Sequence, residues 1–79
     1  MSFMFEVLYR SPPDSRREVA ISERVGRLGG RLTYREVPAA EVGSVCLTYE
    51  FGDLQAARQA ASDLRSRGEH VEGPGDYGD

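Results

Sequence analysis

Residues 43–68, GSVCLTYEFGDLQAARQAASDLRSRG, constrain the fold more than any other stretch of the chain. Val45, Leu47, Tyr49 and Phe51 alternate with Ser44, Cys46, Thr48 and Glu50, the period of a strand with one buried face. Gly52 breaks that strand, and Asp53 is a suitable N-cap for a helix. Leu54, Ala57, Ala61 and Leu64 fall at i, i+3, i+7 and i+10, along one side of that helix. Gly68 stops it, behind Arg65 and Arg67, whose charge suits the negative end of the helix dipole.

The other elements carry the same signals. Phe3–Arg10 reads as a first strand, with Phe3, Phe5, Val7 and Tyr9 on an apolar face and Met4, Glu6, Leu8 and Arg10 on a mixed one. Pro12 and Pro13 end it, because proline donates nothing to a ladder. Ser15-Arg16-Arg17-Glu18 fits a capping box, so a helix starts near Ser15; a start at Ser11 with Pro12 as first helical residue is the alternative. Ile21, Val25 and Leu28 give its buried stripe, and Gly29-Gly30 ends it. Residues 31–37 read as a second strand, with Leu32 and Tyr34 facing in and Thr33, Arg35 and Val37 facing out. Residues 69–73 read as a short last strand closed by Pro74, and residues 74–79 as a flexible tail in which Tyr77 has a chance to dock.

The order is β-α-β-β-α-β in one domain, residues 1–79. Short connections and right-handed crossovers then favour the ferredoxin-like α+β sandwich. Its four-stranded antiparallel sheet has the order 4-1-3-2, with both helices on one face. Ile21, Val25, Leu28, Leu54, Ala57, Ala61 and Leu64 are expected to meet Phe5, Val7, Leu32, Tyr34, Val45, Leu47, Tyr49, Phe51 and Val71.

The helices would leave the other sheet face bare. By alternation that face carries Met4, Glu6, Leu8, Arg10, Arg35, Val37, Cys46, Thr48, Glu50 and His70, joined by Thr33, Ser44 and Glu72. Met4, Leu8, Val37 and Cys46 are a poor choice for a surface left to water. A chain of 79 residues buries only about 60–65% of its unfolded surface, so a partner on this face would help it. The expectation is a small non-enzymatic domain that self-associates as an isologous dimer, or binds a protein or small ligand there. A monomer with scattered exposed apolar side chains is the alternative.

Composition limits the other classes. The net charge is −3 and the pI about 5.1, where nucleic-acid binding draws on a basic surface. Cys46 is the single cysteine, so no internal disulfide forms and a reducing, cytoplasmic location is expected. Met1 to Phe5 has neither a basic start nor a long apolar run, so no signal peptide is expected, and no stretch approaches membrane-spanning length. No metal or other cofactor is expected, because there is no Cys-x-x-Cys and no ligand spacing. A small enzyme using Glu6, Glu50 and His70 needs those groups to converge.

One stretch resembles a family. Phe51-Gly52-Asp53 followed by Ala57 and Ala60 is similar to the end of the third strand and second helix of the RNA recognition motif. The resemblance covers about a third of the chain and implies single-stranded nucleic-acid binding on the open face. That family stacks bases on aromatic rings of the third strand, and the matching outward positions here are Cys46 and Thr48. Nucleic acid is therefore not the expected partner. Acylphosphatases share the fold, but their glycine-rich anion loop after the first strand has no counterpart in Ser11-Pro12-Pro13-Asp14.

Overall fold

A computed structural model describes residues 2–40 and 42–76 of the chain. The elements are β1 (Phe3–Arg10), α1 (Ser15–Arg27), β2 (Arg31–Glu36), β3 (Ser44–Phe51), α2 (Leu54–Ser66) and β4 (His70–Asp76). The sheet is antiparallel in the order β2-β3-β1-β4, so the fold is the ferredoxin-like α+β sandwich. β1 and β3 are central and pair without a break from Phe3↔Phe51 to Arg10↔Ser44.

Their odd-numbered side chains face the helices. Phe5, Val7, Tyr9, Val45, Leu47, Tyr49 and Phe51 are buried, together with Ile21, Val25, Ala57, Ala60, Ala61, Leu64 and Val71. The Phe5 ring lies 5.8 Å from Tyr49 and 5.3 Å from Phe51, centroid to centroid, within the range of favourable aromatic pairs. Ala60 belongs to this core although the spacing of the larger residues passes it over. Its methyl, with Ala57 and Ala61, lets α2 lie close over β4 and β1. Leu28 and Leu54 are only partly buried.

Both helices are capped by aspartate. Asp53 Oδ2 accepts from the Ala56 N–H at 2.9 Å, as the sequence predicts. In α1 the cap is Asp14, not Ser15: Asp14 Oδ1 accepts from the Arg17 N–H at 3.1 Å. Each helix ends on a left-handed glycine, Gly29 at φ 89° and Gly68 at φ 91°. The next N–H closes back on the helix, Gly30 N to Val25 O and Glu69 N to Leu64 O, both at 3.0 Å.

Two strands depart from the expected course, β2 in phase and β4 in extent. In β2 the ladder runs Leu32↔Tyr49 and then Tyr34↔Thr48, so one extra residue is inserted between them. Tyr34 therefore joins the open face beside Thr48, and Arg35, opposite Leu47, turns to the helix side. Leu32 keeps its inward phase but stays 43% exposed, because it lies on an edge strand that α1 only partly covers. Val37 lies beyond the end of β2 and is exposed.

In β4 Pro74 does not close the strand. The pairing runs Leu8↔His70, Val7↔Val71 and Glu6↔Glu72, then resumes at Met4↔Gly75 and Phe3↔Asp76 after a bulge. Gly73, at φ 102°, takes the bend; a Cβ there would lie 3.0 Å from the Met4 carbonyl oxygen. Arg65 Nη2 donates to the carbonyls of Val71 and Gly73 at 2.9 and 2.7 Å, which ties β4 to the last turn of α2. Gly75 and Asp76 thus belong to the sheet, whereas Tyr77 and the rest of the expected tail lie outside the described residues.

The inward turn of Arg35 completes a polar cluster beside α1. Its Nε and Nη2 donate to Glu18 Oε1 and Oε2 at 2.6 and 3.1 Å. Glu18 Oε2 also accepts from the Tyr9 hydroxyl, which in turn accepts from the Asp14 N–H at 2.8 Å. Arg35, and with it Tyr9, holds the Glu18 carboxyl below its ordinary pKa, against the opposing effect of burial. The carboxylate's contribution to stability is therefore complete above the unfolded-chain value of about 4.3 and is lost as pH falls through the lower folded value. Glu18→Gln should cost about 1 kcal/mol at neutral pH and flatten the acid limb of a melting-temperature profile. An unchanged acid limb would show that the cluster has no such role.

Candidate functional site

The open face is built by the even-numbered residues of β1 and β3 and by their partners on the edges. Because directly paired residues share a face, the register lays them out in rows across the sheet. The first row runs Arg31, Glu50, Met4, Gly75, and the second Tyr34, Thr48, Glu6, Glu72. The third runs Glu36, Cys46, Leu8, His70, and the fourth holds Ser44 and Arg10. Met4, Glu6, Leu8, Arg10, Cys46, Thr48, Glu50 and His70 thus stand on this face. Arg35 does not, and Val37 lies outside the ladder.

Alternation alone could not place Tyr34 and Glu36 here, since their phase depends on the β2 bulge, whereas Arg31 precedes it. Tyr34 is 58% exposed, and Met4, Leu8 and Cys46 are half-buried by their neighbours in the sheet. No helix crosses this side among the described residues, since both pack on the opposite face.

The polar groups form separate pairs. Arg31 Nη2 donates to Glu50 Oε1 at 2.8 Å and holds the Glu50 carboxyl below its ordinary pKa. Cys46 Sγ donates to Glu6 Oε2 at 3.2 Å. Burial, and then the Glu6 carboxylate, push the Cys46 thiol up to about 11. It is a protonated donor at neutral pH and a poor nucleophile. His70 Nε2 sits 3.2 Å from Glu72 Oε2, both side chains well exposed.

Glu50, Glu6 and His70 lie in three successive rows, and Glu50 and His70 are two strands apart. At about 4.8 Å between strands and 3.3 Å per residue, that separates them by roughly 16 Å. The three residues of the enzyme reading therefore do not converge. Among the described residues no three His, Cys, Asp or Glu side chains are grouped so as to hold a metal ion.

The face is net acidic. Glu6, Glu36, Glu50 and Glu72 stand against Arg10, Arg31 and a histidine. Among the described residues Tyr34, at its edge, is the one Phe, Tyr or Trp ring it carries. The arrangement offers a flat surface on which Leu8 and Cys46 lie side by side, Met4 stands apart beyond Glu6 and Thr48, and charges of both signs surround them. No helix among the described residues is long and apolar enough to cross a membrane. No protein-family profile matches the chain, and no curated protein matches it in sequence.

Proposed function

We propose that this chain is a non-enzymatic association domain whose open sheet face packs against a second copy of itself. The observation that carries the reading is that Met4, Leu8 and Cys46, on the two central strands, have no helix over them among the described residues, with the Tyr34 ring exposed at the edge of the same face. Four strands about 4.8 Å apart and six residues long make a patch of roughly 400 Å² in projection. Counting both copies and their side-chain relief, that approaches the ~1,000 Å² at which specific interfaces begin. A weak dimer is therefore expected, with a lone thiol suited to the cytoplasm.

Sedimentation over a concentration series tests this. Leu8→Glu puts a charge at the centre of the patch while leaving the core on the opposite face intact. It should weaken the dimer by about 100-fold or more with unchanged far-ultraviolet circular dichroism. A monomer at the highest attainable concentration, or a dimer indifferent to Leu8→Glu, would overturn the reading. Retention of labelled RNA that falls with salt would replace it by the single-stranded nucleic-acid alternative, against which the four carboxylates of the face argue.

A further inference from the structure

The charges that β1 sets on the open face lie either side of one row. On β1, Glu6 and Arg10 stand two positions either side of Leu8, on the same face and about 13 Å apart. At the Glu6 end the face is doubly acidic, since Glu6 pairs directly across from Glu72. Like charges in that position are unfavourable unless a cation joins them. Among the described residues Glu6 accepts only the Cys46 thiol, and Glu72 is joined only to His70. At the other end Arg10 is exposed and makes no ion pair among the described residues. The acid pair and the free cation lie at mirror positions along the strand.

We propose that the dimer uses this symmetry, with a two-fold axis lying across the strands over the Leu8 row. This rests on the sheet-face dimer proposed above and specifies its register. The axis runs each β1 antiparallel over its counterpart. Leu8 then meets the second copy's Leu8, and the Arg10 guanidinium of each copy reaches Glu6 and Glu72 of the other. Packed sheets lie about 10 Å apart, a gap that facing Arg and Glu side chains span. The contact occurs twice by symmetry, whereas a two-fold axis across the Glu6 row would set Glu6 against Glu6. Cys46, in the Leu8 row, faces the second copy's Cys46 at about the same 10 Å separation.

Charge reversal in two separate chains tests the register. Arg10→Glu alone puts acid against acid in its own dimer, and Glu6→Arg together with Glu72→Arg puts base against base. Each variant should dimerise about tenfold more weakly than the parent, or worse. Mixed in equal amounts, the two should recover a heterodimer near the parental affinity, because both contacts are again opposite in charge. If the parent dimerises and Leu8→Glu breaks it, but the mixed variants do not recover, the register is wrong while the sheet-face dimer stands. If the parent is monomeric, both proposals fall.

Discussion

Leu47→Ala should destabilise the chain by about 2–5 kcal/mol, the range for truncating a buried leucine whose space cannot collapse. Leu47 has no exposed surface and lies at the middle of β3, between Val7 of β1 and Arg35 of β2. The lost side chain leaves a cavity bounded by the helix layer and by two paired strands, which cannot move without breaking ladder hydrogen bonds. A domain of this length has about 4–12 kcal/mol in all, so the variant should be partly unfolded at 37 °C. Urea titration at fixed protein concentration reads the loss as a lower midpoint with an unchanged slope. A shift of less than about 1 kcal/mol would mean that the core is looser than the burial of Leu47 implies.

Gly30→Ala should also destabilise, by about 1–3 kcal/mol, although replacing a glycine in ordinary backbone usually stabilises through the unfolded chain. Gly30 follows the left-handed Gly29 at the turn from α1 into β2. A Cβ there would lie 2.5 Å from Val25 Cγ1 and 2.6 Å from Phe51 Cε2, and closer still to Phe51 Cζ. Both side chains are buried, so neither can swing aside. Gly26, one turn earlier in α1, is the internal control: nothing lies within 4 Å of a Cβ there. Gly26→Ala should stabilise by about 0.5–1 kcal/mol through helix propensity. Equal and favourable shifts for both variants would show that the turn is not packed as described.

The two glycines show where reading a chain by its local pattern stops. A Gly29-Gly30 pair after a helical stripe marks a helix end, and only the first glycine is there for its backbone angle. The second is required by a ring from residue 51, which no local pattern connects to it. The α1 cap is a similar case. Ser15 and Glu18 have capping-box spacing, but Glu18 is taken by Tyr9 and Arg35, and Asp14 caps instead.

On the candidate face, Met4, Glu6, Leu8, Arg10, Cys46, Thr48, Glu50 and His70 are legible from spacing because β1 and β3 are regular and β4 keeps its phase through Glu72. Alternation misplaces Arg35 and misses Tyr34 for a single cause, the extra residue in β2. A bulge reverses the phase of everything after it, and it is set by pairing with β3 rather than by the residues of β2.

Residue spacing is enough to establish the element order, the two helix faces and the inward phase of the central strands. Those strands are long and strongly alternating, and their side-chain period needs no knowledge of a neighbour. Three features emerge only when the strands pair and the helices pack: the direction in which β2 turns its side chains, the course of β4 past Pro74, and the pairing of Arg35 with Glu18 in place of the open face. An edge strand has one partner and one covering layer, so bulges and contacts with distant residues fix its course.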